Sequence, residues 1–212
     1  RRGRVVGVDG QVRLSDLTRN GRALPLANLT GDLDWRRRAE GWRLTVPRLV
    51  PGGSGGGKGA ARLRVTAGEQ GALDLDAAGL EVADLAAALR SWPDAPAELL
   101  QRLETASPAG LVERFHFRHR PEAPAQRQWR LHARLARVQS KPVARLPGVV
   151  GLAGEIWADP TGGVARLTMG DGQLAFPVFS RFPWPVESAS LRLDWQQARQ
   201  GWRFQVRDGR VR

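Results

Sequence analysis

Four groups of residues in this 212-residue chain have the types and spacing that chemistry needs. Asp74 and Asp76 stand two apart, so on a strand they share a face, as the paired acids of a glycosidase must. His116, His119 and His132 offer imidazoles of the kind that bind metals. Residues Gly52 to Gly59 read G-G-S-G-G-G-K-G, close to a loop that cradles phosphate. Arg36-Arg37-Arg38, in a chain of net charge +12, suggests an anionic partner.

Each group fails on its neighbours. Asp74 and Asp76 alternate with Leu73 and Leu75, which marks the wet side of an amphipathic strand. His116 and His119 are three apart, so on a strand they face opposite sides and cannot chelate together; the histidines read as solvated residues of a polar face. In the Gly-rich run Gly59 replaces the hydroxyl residue that should follow Lys58. The strand-like Arg62-Leu63-Arg64-Val65 comes next, so no helix N-terminus faces a phosphate, and the run reads as a flexible hairpin loop. Cations are almost all Arg (only Lys58 and Lys141 are lysines) and are dispersed, so nucleic acid is not expected and Arg36-Arg37-Arg38 reads as a solvated stretch. There is no Cys, which removes disulfides, thiolate nucleophiles and Cys-ligated zinc. No Ser-His-Asp or nucleophile-elbow context occurs. The expectation is no catalytic residue, no metal and no cofactor.

The elements carrying these residues show period-two alternation, the mark of strands with one apolar and one polar face. Leu33 and Trp35, Leu44 and Val46, Leu63 and Val65, and Leu73 and Leu75 repeat it. So do Phe115 and Phe117, Trp129-Leu131-Ala133-Leu135, Leu191-Leu193-Trp195 and Trp202-Phe204-Val206, taken at alternate positions. Glu40-Gly41, Gly162-Gly163, Asp171-Gly172 and Gln200-Gly201 punctuate the runs as turns. Ten or more short antiparallel strands are predicted. One stretch, about residues 84–106, has helical spacing instead. Asp84 can cap a helix with Leu85 and Leu89, stopped by Trp92-Pro93, and Pro96 opens a second with Leu99, Leu100 and Leu103.

A hairpin recurs along the chain. Leu33-Asp34-Trp35, Gly41-Trp42-Arg43 and Val46 return 160 residues later as Leu193-Asp194-Trp195, Gly201-Trp202-Arg203 and Val206, seven identities in fourteen positions. Segments 29–50 and 189–211 therefore read as a repeated Trp hairpin, the kind of unit from which elongated β architectures are built. A composition 42% hydrophobic and 25% charged excludes wholesale disorder. No run approaches the roughly 18 apolar residues of a membrane-spanning helix. The chain opens Arg1-Arg2-Gly3-Arg4 and reads as part of a longer polypeptide. Aromatics share the apolar parity, against an RNA-recognition sheet, and the runs are shorter than the strands of an outer-membrane barrel.

Such a sheet must cover its apolar face or use it. A closed β-sandwich serving as a structural or interaction module is one solution; an open, curled sheet holding a hydrophobic ligand is the other. The residues favour the second through a resemblance. Leu29-x-Gly31-x-Leu33-x-Trp35, Gly41-Trp42 and Asp84-Leu85 leading into helices are followed by Ser107-Pro108-x-Gly110-Leu111. Pro147-Gly148 then runs into Leu152-x-Gly154, and Phe176-Pro177-x-Phe179 precedes the second Trp hairpin. Over nearly the whole chain this resembles the periplasmic part of YhdP-type proteins, of the AsmA-like group that includes TamB. The resemblance implies a single taco-like β-groove segment over 1–212. It also implies phospholipid acyl chains as cargo, carried between the inner and outer membranes of a Gram-negative envelope. The parent protein would be anchored in the inner membrane. In that reading Leu33, Trp35, Leu44, Val46, Leu63, Val65, Leu73, Leu75, Phe115, Phe117, Leu131, Leu193 and Trp195 line the groove.

Overall fold

The computed structural model describes residues 6–14, 18–19, 22–23, 29–51, 61–83, 85–86, 97–144, 146–199 and 201–212. Fourteen strands form in chain order. The first seven are β1 (Gly7–Leu14), β2 (Thr18–Arg19), β3 (Arg22–Ala23), β4 (Leu29–Arg38), β5 (Gly41–Pro51), β6 (Ala61–Gly68) and β7 (Leu73–Ala78). The rest are β8 (Leu80–Glu81), β9 (Ala109–His119), β10 (Trp129–Ser140), β11 (Gly148–Asp159), β12 (Gly162–Ala175), β13 (Trp184–Ala198) and β14 (Gly201–Val211). All but β2 and β3, which pair with each other, join one twelve-stranded sheet in the order β1-β4-β5-β6-β7-β9-β10-β11-β12-β13-β14, with β8 on the flank of β9. Every described pairing is antiparallel. Among the described residues β1 and β14 each pair on one side only, and the curled sheet does not close into a barrel. The other described sheet is the two-stranded β2–β3 pair, four residues in all, too small to form the second layer of a sandwich.

The strands are longer than the sequence pattern suggests, reaching 15 residues in β13. Bulges are the reason. Arg137 (φ 52°), Asp171 (φ 47°) and Asp208 (φ 52°) take left-handed backbone inside β10, β12 and β14, and each breaks the alternation. At Asp171 three residues of β12 stand opposite one of β11. A Cβ on Gly172 would sit against Met169 Cγ and Sδ, so both positions open to one face although their numbers differ in parity. Strand length is thus no argument against a barrel; the unpaired edges are.

The connections segregate. Short turns at Ala39–Glu40, Glu69–Gly71 and Pro160–Thr161, with the β9–β10 turn, occupy one end of the sheet. At the Pro160 turn, Asp159 Oδ1 accepts from the Thr161 amide (2.7 Å), the Thr161 hydroxyl (2.6 Å) and the Gly162 amide (3.2 Å). At the other end β5 stops and β6 starts, and the described residues 97–108, 141–144, 146–147 and 176–183 lie there. There the helix Ala97–Ala106 ends at Ser107, which adopts φ 43° and donates its amide to Leu103 O at 3.0 Å. Residues 82, 83, 85 and 86 are also helical. Asp84, Leu89, Trp92, Pro93 and Pro96, expected to cap and stop these helices, lie outside the described residues, as does the Gly-rich run 52–59. A ten-residue helix is about 15 Å long, far too short to cover twelve strands.

The two Trp hairpins have one register. Trp35 faces Leu44 and Arg38 faces Gly41; Trp195 faces Phe204 and Ala198 faces Gly201. Every one of these pairs is offset by the same 160 residues. Between strands, Trp195 lies opposite Gly163, whose hydrogen leaves room for the indole. A Cβ at Gly163 would collide with the Trp195 ring on one side and with the Trp157 carbonyl oxygen on the other. Gly163→Ala is therefore expected to lose about 1–3 kcal/mol by overpacking, read as a lowered denaturation midpoint. An unchanged midpoint would show that the ring is free to move.

Candidate functional site

The ladder registers place one apolar row after another across the sheet. Residues directly opposite in neighbouring strands share a face. One row runs Trp35, Leu44, Val65, Leu75, Phe117, Leu131, Ala158, Gly163, Trp195, Phe204. The next runs Val46, Leu63, Ala77, Phe115, Ala133, Ile156, Ala165, Leu193, Val206, with Leu33 beside Val46. Leu73 belongs to a third row, beside Ala67. All thirteen residues singled out in the sequence thus stand on one face, spread over β4 to β13.

Burial varies from residue to residue along that face. Val46, Ala77, Ala133, Ala165 and Met169 are buried, while Leu33, Leu63, Leu73, Leu131 and Trp195 are only half-buried. No polar or charged side chain is buried among the described residues. The accessible surface is 15375 Å² for 23.2 kDa, roughly 1.6 times the ~9,700 Å² of a compact protein of that mass. Three solvent-open concavities of about 860, 650 and 530 Å³ lie instead mainly against the opposite, charged face, where Asp74 and Arg120, Arg118 and Arg192, and Arg64 and Asp76 respectively are among their lining residues.

The structure also corrects and extends the expected set. His119 pairs with Leu73 and Trp129, which puts it on the apolar face and not with the solvated histidines; its Nδ1 lies 3.3 Å from Gly71 O. His132 is on the polar face but stacked, its ring 4.9 Å from that of Trp157 at 8°, with Arg166 Cζ 5.7 Å from the other ring's centre. Trp157 is an aromatic of the polar face, kept there by these two flat cationic or aromatic neighbours. Missing from the expected lining are the small residues Ala77, Ala133 and Ala165, and Met169. Their parity is legible, as in the run Trp129-Leu131-Ala133-Leu135, but Ala is not conspicuously apolar, and the ladder register shows that these residues share the face.

The opposite face is held by ion pairs. Asp74 accepts from Arg118 Nε (2.8 Å) and Arg120 Nη2 (2.7 Å), and Asp76 Oδ1 lies 2.7 Å from His116 Nδ1. The two carboxylates are therefore structural partners of basic groups and not a free acid pair. Among the described residues no cluster of three His, Asp or Glu side chains has metal-site geometry. Arg36, Arg37 and Arg38 are exposed beside the hairpin turn.

Desolvation raises the Asp74 pKa, but the Arg120 and Arg118 hydrogen bonds and charges outweigh it and hold the carboxyl below the usual range. A lowered folded-state pKa gives stability that is complete above the unfolded value and lost as pH falls through the folded one. Asp74→Asn should therefore lower stability at pH 7 by about 1 kcal/mol or less, the scale of a partly exposed pair. The deficit should shrink as pH falls below the ordinary carboxylate range and through the lowered folded-state pKa, where the wild-type carboxyl becomes protonated as well. Urea midpoints across that range test it; a deficit that persists in acid would assign Asp74 a role unrelated to charge.

A family profile described as YhdP protein matches residues 1–212, the entire chain. No curated protein and no solved structure matches it. An open antiparallel sheet with one continuous apolar face is the architecture that the sequence resemblance implied, and on the strength of the full-length match the chain belongs to the YhdP family.

Proposed function

We propose that this chain is a segment of a lipid-transport bridge, its apolar face carrying the acyl chains of phospholipids between the inner and outer membranes of a Gram-negative envelope. One observation carries the reading: an apolar face continuous across ten neighbouring strands, from Trp35 to Phe204, with no second layer over it among the described residues. An apolar face of that extent is unusual for a monomer, and acyl chains remove it from water without directional contacts. The thirteen lining residues need only be apolar. Family membership supports the same role, with a periplasmic location and an inner-membrane anchor belonging to the full-length protein. Nothing in the mechanism requires a catalytic group or cofactor: the chain acts by offering a path of nearly uniform hydrophobicity.

Leu73→Asp and Leu131→Asp test the reading. Both sites are half-buried, so the carboxylate reaches water in the lipid-free protein and the fold survives. Val46, 7% exposed, is unsuitable because Asp there would bury a charge. Native mass spectrometry of the purified protein should show phospholipid on the wild type and its loss from either variant, since a charge beside acyl chains costs on the order of 2–4 kcal/mol. Circular dichroism should remain that of the wild type. Variants that unfold, beside a wild type free of lipid, would contradict the proposal.

A further inference from the structure

Two connections at the long-loop end share one chemistry. Residues 141–147 read K-P-V-A-R-L-P and residues 176–183 read F-P-V-F-S-R-F-P. Each has Pro-Val, then an Arg followed directly by a large apolar residue and Pro. Together they carry Lys141, Arg145 and Arg181 and no acidic residue. Because β10 to β13 are consecutive in the sheet, the two connections lie two strand spacings apart, about 10 Å.

Both are built turns. Val143 and Leu146 exchange backbone hydrogen bonds of 3.1 and 2.9 Å. In the second turn the Phe179 and Ser180 amides both donate to Phe176 O at 2.9 Å. The Ser180 hydroxyl donates to Phe182 O (2.8 Å) and accepts from the Phe182 amide (3.1 Å). Flanking prolines fix φ on either side. These bonds hold the apolar side chains outward: Leu146 is 66% exposed, Val178 73%, Phe179 77% and Phe182 78%. The described turn residues at the opposite end mix charges, with Glu40, Glu122, Arg127 and Arg199, and include no exposed large apolar side chain.

Pre-ordered apolar tips with basic residues between them fit a membrane interface, where aromatic and aliphatic side chains enter the headgroup zone and Arg or Lys stays at the phosphates. We propose that these two turns form a docking surface for a bilayer bearing anionic headgroups, with Leu146, Val178, Phe179 and Phe182 inserted and Lys141 and Arg181 on the phosphates. The surface is separate from the acyl-lining face, so docking and lipid carriage fail independently.

The test is flotation of the purified chain with phosphatidylcholine vesicles, with and without phosphatidylglycerol. Wild type should float with the anionic vesicles. The Phe179→Ser/Phe182→Ser pair should weaken that binding on the order of tenfold or more, from the apolar area withdrawn. Its melting temperature and its bound lipid should be unchanged, because both side chains are exposed. Lys141→Ser/Arg181→Ser should abolish the preference for phosphatidylglycerol. The absence of Cys allows a single fluorophore on Val178→Cys, which should shift to the blue on vesicles, while one on Ala39→Cys at the opposite end should not. A wild type that does not float, a Phe pair variant that floats as well as wild type, or turns that engage a protein but no vesicle would each overturn the proposal.

Discussion

An amphipathic sheet obliges a protein to do something with its apolar side, and here that obligation is left open. Twelve strands pair edge to edge in one layer, and a helix of ten residues is the longest described element beyond them. Solvent on one face and apolar contact on the other normally come from a second layer. Without one, the hydrophobic free energy of the lining is realised only when something apolar occupies it. The small residues Ala77, Ala133 and Ala165 are buried among larger Leu, Phe and Trp side chains of the same face that stay partly accessible.

The polar face supplies what the missing layer cannot. Asp74 clamped by Arg118 and Arg120, Asp76 against His116, and Asp194 with Arg192 (2.9 Å) form pairs between or along neighbouring strands. Individually they are worth little. Collectively they fix which face is wet, because a one-residue slip in any ladder would turn these charges onto the apolar side. At the β14 edge, Arg203, Arg207 and Arg210 alternate with exposed Trp202, Phe204 and Val206. Charge along an unpaired strand discourages indiscriminate edge pairing.

Most of this was legible in the sequence because period-two alternation encodes faces directly. Leu73, Leu75, Phe115 and Phe117 could be assigned to one side without knowing the pairing, and the repeat from Trp35 to Trp195 marked two hairpins that share a register. Strand length, the setting of Trp157 and the openness of the sheet were not legible, and the side of His119 was legible but missed. Strand length was underestimated wherever a left-handed residue such as Arg137 or Asp171 shifted the parity. Trp157 offered no sign that its ring would lie between His132 and Arg166 on the polar side, since that depends on which strands are neighbours. His119 was placed with the polar histidines, although its spacing from His116 already put the two on opposite faces. Openness itself is a tertiary fact: alternation is identical in a sandwich and in a groove.

The central claim is that the apolar face meets acyl chains while the other face does not. Photocrosslinking from adjacent positions of one strand tests it most directly. A benzoylphenylalanine at Leu131, on the apolar row, and another at Arg130, its neighbour on the polar face, differ in little but direction. Irradiation of cells producing the full-length protein should yield phospholipid adducts at position 131 and none at position 130. Adducts at both positions, or at neither, would contradict the account.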